Sequence, residues 1–357
     1  MVTRIHQFVP MLHRGDAVGR HTMRLRDLMV ARGIDSRIYV ELIDPETESE
    51  TALASTYAER CDPGDVLLYQ FATASDLAPW LIGRGERLVV NYHNVTPPEL
   101  FAAWDNRLAR HQERARQELR LVASRTVLGI AVSDYNRRDL DAAGFSATAT
   151  VPPAAVLPPA KSGQGLDAGT RRPRSPGEGA RWLCVGRVAP NKAIEDVVMG
   201  LLVARSTTSP GATLEIVGKP VVASYTNALY RFVADVGLEG AVAFRGHTSD
   251  EDLSAAYDRA DVLVVASGHE GFGVPLIEAM SIGLPIVASS AGALPEIVGD
   301  AGILTDTTDP WALASTIAEL LRDATQCDAL AAAGRAQLDA LDLVTAGDRL
   351  IDLVCAV

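Results

Sequence analysis

Two hydrophobic registers alternate along the chain. Short continuous apolar runs recur, and most are followed by a segment with apolar residues at helical spacing. In the first half the runs are Arg4 to Val9 (broken by Arg4 and His6), Arg37 to Val40, Asp65 to Gln70, Leu88 to Tyr92 and Val127 to Ser133. Helices are read at Gly19 to Arg32, Trp104 to Ser124 and Asn136 to Ala143. Gly144 closes the last of these, as the position after a helix prefers. The second half repeats the pattern more cleanly. Strands fall at Trp182 to Val185, Thr213 to Val217, Val242 to Arg245, Asp261 to Ala266 and Pro285 to Ala288. Helices fall at Ala193 to Ala204, Ser224 to Val236, Glu251 to Arg259 and Val274 to Ser281. Ser249, with Asp252 three residues on, is a capping-box-like start for the third of them. Apolar runs of this length between helices predict parallel sheets covered on both faces. The expected fold class is therefore α/β, with two doubly wound Rossmann-like domains and ligands outside the carboxyl ends of their strands.

Between Val151 and Arg181 the periodicity lapses into a stretch rich in Pro, Gly and Ala, which sustains neither a helix interior nor a central strand. It divides the chain into an N-terminal domain (1–157), a Pro/Gly-rich linker (158–180) and a C-terminal domain (181–340). Residues 341–357 carry a last helix, Ala346 to Cys355, which is a candidate to cross back to the first domain.

Composition narrows the function. The 357 residues are 48% apolar and 22% charged, the balance of a soluble globular protein with enough apolar surface for two cores. A formal net charge of −12 argues against a general nucleic-acid binder, which needs a basic face. Positive charge for any anionic ligand must be local. Only three of the 33 basic residues are lysines: Lys161, Lys192 and Lys219. Codon bias explains the scarcity, yet it makes each remaining lysine worth placing, because Lys and Arg are not interchangeable at a compact charge site. Cys61, Cys184, Cys327 and Cys355 are scattered, with no C-x-x-C pair, so neither a disulfide framework nor a zinc site is expected. That usage fits a reducing cytosol, and a cytoplasmic protein is expected. No apolar run approaches the ~18 residues of a membrane span, and the start of the chain lacks the apolar stretch of a signal peptide.

Two segments carry chemistry. In the first, Val185-Gly186-Arg187-Val188-Ala189-Pro190-Asn191-Lys192, a strand runs into a glycine turn and then a helix. Arg offers a bidentate fork and Lys a point charge, a natural pair for a diphosphate. The plainer reading is a surface turn, but a Lys near a helix start is not favoured by the helix dipole. The second segment runs from His269 to Met280 (HEGFGVPLIEAM), where a buried strand gives way to a glycine turn and Pro275 opens a helix. Free backbone N–H groups and the helix dipole make such a turn an anion site. Glu270 and Glu278 do not suit a phosphate, but a carboxylate accepts hydrogen bonds from sugar hydroxyls. Taken alone, Glu278 also reads as a residue complementing the dipole, and Glu270 as a solvated loop charge.

Gly-Arg-x-x-x-x-Lys followed by EGFGVPLIEAM resembles glycosyltransferase family 4, of the two-Rossmann-domain GT-B fold with its domains facing across a cleft. The resemblance runs from Trp182 to about Thr308, including DLSAAYDRADVLV and AGALPEIV. It extends to RGDAVGRH, NYHNVTPPELF and SDYNRRDL in the first half, which look like bacterial members. It implies that Arg187 and Lys192 bind the donor diphosphate and that Glu278 holds the donor ribose. Glu270 would contact the transferred sugar, with Gly186 and the Gly271, Phe272, Gly273 and Val274 turn supporting sugar and phosphates. His93 matches a histidine beside the reacting sugar. Gly15 and Asp16 match a glycine loop facing the diphosphate, although many members have two adjacent glycines there, and Asp16 suits the acceptor as well. Gly246 and His247 would lie near the nucleobase, and Lys219 at the edge of the same site.

The activity so implied is retaining transfer from a nucleoside-diphosphate sugar (UDP- or GDP-sugar) to a sugar, natural-product or lipid acceptor. No Asp-x-Asp motif is evident, so no metal and no further cofactor is expected. His6, His13, His21 and His111 match no metal-ligand spacing. The Arg-rich helix over 104–124 is either solvated or a basic face for an anionic membrane. An epimerase or phosphorylase of the same fold, or a non-catalytic nucleotide-sugar binder, is the alternative. A nicotinamide dehydrogenase is disfavoured, because no Gly-x-Gly-x-x-Gly follows a strand. Lys192→Ala is expected to cut turnover about 10²-fold with the fold intact.

Overall fold

The computed structural model describes residues 2–154 and 179–357. Residues 158–178 of the expected linker, Lys161 among them, lie outside the described residues. The described chain falls into two compact units, one of residues up to Pro98, 107–154 and 341–357, the other of Glu99–Asn106 and 179–340.

The first unit holds β1 (Ile5–Val9), β2 (Ile38–Val40), β3 (Thr51–Leu53), β4 (Val66–Phe71), β5 (Arg87–Tyr92), β6 (Thr126–Ala131) and β7 (Thr148–Thr150). They form one parallel sheet in the order β3-β2-β1-β4-β5-β6-β7. Every residue of β1 and β4 is buried, which is why these strands read as mainly apolar runs, with His6, Gln7 and Gln70 as the polar exceptions. One face packs Phe8, Tyr57, Tyr69 and Phe71 against Leu119 and Val122 of the helix Asn106–Ala123. The other packs Ile5, Val66 and Leu68 with Leu25 and Met29 of the helix Ala17–Ala31.

The last helix, Ala346–Cys355, belongs to this second face: Leu350, Ile351 and Val354 are fully buried in the same cluster. Each such side chain contributes about 1.5–3 kcal/mol relative to exposure. Arg32 clasps the helix, reaching Asp348 at 2.7 Å and Asp352 at 2.6 Å.

The second unit holds β8 (Arg181–Val185), β9 (Thr213–Val217), β10 (Val242–Gly246), β11 (Val262–Val265), β12 (Ile286–Ala288) and β13 (Ile303–Leu304). Its parallel order is β10-β9-β8-β11-β12-β13. Both sheets reverse their winding at one point, between β1 and β4 and between β8 and β11, and the carboxyl ends at such a switch are where ligands bind. Ser249 caps the helix Asp250–Arg259 by accepting from the Asp252 N–H at 3.1 Å.

Three features differ from the sequence reading. The strands β3, β7 and β13 are too short and too exposed to show an apolar run. The helices Pro310–Leu320 and Ala324–Leu341 lie between Ala288 and Ala346, where the sequence reading assigns no helix. Glu99–Asn106 groups with the second unit rather than with 1–157. There the Trp104 indole meets the Tyr225 ring edge-on at 5.1 Å, and Ser224 Oγ donates to the Trp104 carbonyl at 2.7 Å. An aromatic contact of that kind follows from packing and leaves no local periodicity. Among the described residues, no helix is long and apolar enough to cross a membrane.

Candidate functional site

The carboxyl ends of β8, β9 and β10 are stitched together by backbone hydrogen bonds. The Gly186 N–H donates to the Val217 carbonyl at 2.9 Å, and the Gly218 N–H to the Gly246 carbonyl at 2.8 Å. Gly218 has a φ of +154° and passes so near Gly186 that a Cβ there would lie 1.8 Å from the Gly186 oxygen. Only glycine permits that approach. The loop after β9 is bound back as well, through Val188 N–H to the Lys219 carbonyl at 3.0 Å.

After Gly186 the chain makes one 3-10 turn, Pro190–Lys192, before the helix Ile194–Thr207. The turn is docked on the loop following β11. The Gly268 N–H donates to the Asn191 carbonyl at 2.9 Å, and Asn191 Nδ2 donates to the His269 carbonyl at 3.3 Å. Lys192 is thereby placed so that its ammonium ion-pairs with Glu270 Oε1. The side chains are only 15% and 12% exposed. Ser267 Oγ donates to the same carboxylate oxygen at 2.8 Å. Burial by itself would raise the Glu270 carboxyl. The Lys192 charge and the hydrogen bonds from Lys192 and Ser267 outweigh it and hold the group below its ordinary range. Cys184 lies buried on β8 behind the pair, and burial pushes its thiol up to about 11.

The AGALPEIV segment explains itself at this point. Gly292, at φ +63°, lies against the backbone of Glu270, where a Cβ would fall 2.3 Å from the Glu270 oxygen. The Ala293 N–H donates to that same carbonyl at 2.9 Å. The loop that carries Glu270 is thus held from both sides. Past Phe272, which is buried, Gly273 leads into the helix Val274–Ser281, and its first N–H groups have no side-chain cap. Pro275 has no N–H and that of Leu276 donates to the Gly273 carbonyl at 2.9 Å, which leaves the Val274 N–H at the helix start for an anion. Glu278 lies in this helix, nearly buried, and accepts from the Tyr257 hydroxyl at 2.6 Å.

The geometry therefore joins Gly186, Lys192 and Glu270 directly and places Glu278 on the helix that follows. Arg187, Lys219 and His247 are exposed on the neighbouring loops, and Arg187 and Lys219 have no side-chain partner among the described residues. Gly15, Asp16 and His93 belong to the first unit. Asp16 uses its carboxylate locally: Oδ1 accepts from the Gly19 N–H at 2.6 Å and caps the helix Ala17–Ala31. His93 follows β5 and is half-buried, and burial, with His21 beside it, pushes its imidazole well below the ordinary value. Among the described residues no group of three or more His, Cys, Asp or Glu is arranged to hold a metal ion.

Sequence reasoning missed Tyr257, Ser267 and Asn191. Tyr257 and Glu278 are 21 residues apart on different helices, and no spacing announces their bond. The Arg-rich helix is partly neutralised. Arg114 reaches Glu118 at 2.6 Å and Asp76 at 2.5 Å.

Comparison with known proteins agrees with this layout. The chain superposes on sucrose-phosphate synthase from Thermosynechococcus elongatus with a TM-score of 0.74, at 20% identity and over 98% of each chain. It superposes on Anabaena Alr3699/HepE in complex with UDP and glucose with a TM-score of 0.71, at 20% identity and over 99% of each chain. These are similarities of fold, of the GT-B class, with two parallel-sheet Rossmann-like units. In sequence, the chain is 38% identical over 111 residues to mannosylfructose-phosphate synthase of Agrobacterium fabrum. It is 40% identical over 111 residues to O-antigen chain mannosyltransferase B of Escherichia coli. The matches cover 30% and 31% of this chain but only 24% and 29% of those relatives, so the chain spans about a quarter of their length. Residues 170–337, which carry the Lys192, Glu270 and Glu278 loops, match the family model described as glycosyl transferases group 1.

Proposed function

We propose that this protein is a retaining, metal-independent glycosyltransferase of family 4 that moves a sugar from a nucleoside-diphosphate sugar to an acceptor hydroxyl. The observation that carries the reading is the Lys192–Glu270 pair at the switch point of the second sheet, beside an uncapped helix start. Phosphate needs a cation and free N–H groups; a sugar needs a carboxylate. Both are present within one pair of loops.

The ammonium has three N–H donors, so Lys192 holds Glu270 with one and keeps others for a phosphate oxygen. Arg187, unpaired among the described residues, supplies the second positive charge, and Lys219 borders the same loops. Glu278, its carboxylate oriented by Tyr257, accepts from the ribose hydroxyls. Glu270 accepts from hydroxyls of the transferred sugar, with Gly271, Phe272, Gly273 and Val274 lining the turn. Gly246 and His247 lie by the nucleobase. Gly15, Asp16 and His93 are the contribution of the first unit, His93 beside the reacting sugar.

In the reaction the bond from the anomeric carbon to the diphosphate oxygen breaks, and its electron pair stays on that oxygen. The new bond to the acceptor oxygen forms on the same face. The acceptor's proton passes to the departing phosphate. Negative charge grows on the diphosphate, where Arg187, Lys192 and the turn N–H groups stabilise it, commonly the largest catalytic term.

The test is incubation of the chelator-treated protein with UDP- and GDP-sugars and sugar or polyprenyl-phosphate acceptors, with product configuration read by NMR. Transfer with the donor's anomeric configuration kept is expected. Inverted product, a requirement for added Mn²⁺ or Mg²⁺, or no transfer from any donor would overturn the corresponding part.

A further inference from the structure

A buried file of side-chain amides crosses the first sheet and ends on His93. Gln7 on β1 and Gln70 on β4 are completely buried, as is Asn91 on β5. Gln7 Nε2 donates to the Thr22 carbonyl at 2.9 Å. Gln70 Nε2 donates to Gln7 Oε1 at 2.8 Å. Gln70 Oε1 then faces His93 Nε2 at 2.7 Å. Three amides and an imidazole are an unusual content for the centre of a parallel sheet, where apolar side chains pack at no desolvation cost. They require an account.

The direction of the file is set at its start. A backbone carbonyl only accepts, so the Gln7 amide must present its NH₂ to Thr22 and its oxygen to Gln70. Gln70 must in turn present its NH₂ to Gln7 and its oxygen to His93. An amide oxygen only accepts, so His93 carries its proton on Nε2. The ring is neutral, because burial and the adjacent His21 disfavour its charged form. Nδ1 is then a bare lone pair, and it has no partner among the described residues.

A second anchored direction comes from the other side. The Ala154 N–H donates to His21 Nδ1 at 2.8 Å, which leaves the His21 proton on Nε2. The two directions meet on Asn91. Its Nδ2 lies 2.7 Å from His21 Nε2, 3.3 Å from His93 Nε2 and 2.9 Å from Gln70 Oε1, and its buried Oδ1 is without a partner. The mismatch falls on Asn91, whose NH₂ faces the protonated Nε2 of His21 and, at the longer 3.3 Å, of His93, while each shorter bond from Thr22 through Gln7 and Gln70 to His93 joins a donor to an acceptor.

We propose that Gln7 and Gln70 are positioning residues that lock His93 as the Nε2–H tautomer, so that its bare Nδ1 accepts a hydrogen bond from a hydroxyl of the bound sugar. The sugar half of this proposal rests on the glycosyltransferase reading above; the tautomer half does not. A ring locked in this way discriminates: it welcomes a hydroxyl and opposes a ligand group that can only accept. Which ring nitrogen is protonated is set by what the other partners demand.

The test reads the ring directly. Long-range ¹H–¹⁵N correlation spectra of the ¹⁵N-labelled wild-type chain, with His93→Gln to assign the ring, are expected to show protonated Nε2 and unprotonated Nδ1. A protonated Nδ1 would overturn the proposal. Gln70→Met keeps volume and removes the acceptor. It should blend the tautomer signals and lower kcat at least about tenfold, with donor KM within about twofold. Gln7→Leu should shift the same signals in the same direction. An unchanged ring signature in both variants would show that the amides do not set it. Calorimetry with UDP and GDP separates the two readings. If neither binds the wild-type chain, the sugar half falls with the functional reading, while the tautomer result stands by itself.

Discussion

The Lys192 ammonium is paired with the Glu270 carboxylate, and the pair ties the loop after β8 to the loop after β11 across 78 residues of sequence. Both side chains are mostly buried, so each charge depends on the other. This changes the expectation that Lys192→Ala would leave the fold intact. Removing the ammonium strands a buried carboxylate, which costs about 3 kcal/mol in stability. Turnover should fall about 10²-fold as well. The double variant Lys192→Met with Glu270→Gln should recover much of the stability and none of the turnover. Chemical denaturation and initial rates on the same preparations separate the two effects. A Lys192→Ala protein as stable as wild type would refute the coupling.

The same pair makes stability depend on pH in a defined window. The folded Glu270 carboxyl sits below its ordinary value of 4.5, so its contribution is fully present above that value. It is lost as pH falls through the lower, folded value. The stability difference between wild type and Glu270→Gln should be flat from pH 7 to about pH 5.5, and should shrink below about pH 4.5. Urea titrations across that range provide the check, and a difference that grows on acidification would be the wrong sign.

The buried histidines act at higher pH. His21 is pushed down to about 4 by burial, and His93 is also lowered. Unfolding lets each take up a proton near its ordinary value of 6.5. Stability therefore falls as pH drops below 6.5, by up to about 1.4 kcal/mol per pH unit for each histidine. His93→Gln should reduce that slope by about one proton between pH 6 and pH 5. An unchanged slope would mean that the imidazole is not held neutral.

Tyr257→Phe isolates the support of Glu278. The hydroxyl donates to a nearly buried carboxylate at 2.6 Å. Losing it should cost about 1.5–3 kcal/mol, the range for hydrogen bonds to charged groups. Donor binding should weaken in parallel if Glu278 must point at the ribose. Calorimetry with the nucleotide distinguishes this from a loss of stability alone.

At Gly218 the prediction is steric. A methyl group there would overlap the Gly186 oxygen, and the backbone is already at φ +154°. Gly218→Ala should destabilise by about 1–3 kcal/mol or more and displace the Gly186 turn. A thermal melt within a degree of wild type would contradict the close packing.

Much of this was legible in the chain alone. The strand Thr213–Val217 and the helix Val274–Ser281 fall where the pattern puts them, because the apolar spacing that buries one face of an element is written locally in its sequence. The glycine turns and the Arg187, Lys192, Glu270 and Glu278 positions were visible because local backbone chemistry marks them. What the chain could not show is pairing at a distance. Lys192 on Glu270, Tyr257 on Glu278 and Gln70 on His93 join residues on separate elements, and only the register and packing of the sheets bring them within bonding range. Asp16 makes the same point in reverse: a residue singled out for ligand chemistry is bonded to the helix it begins. The order of apolar and polar residues determines which elements form; which charges and amides meet is decided by tertiary structure, because hydrogen bonds and ion pairs act over a few ångströms of space and not along the sequence.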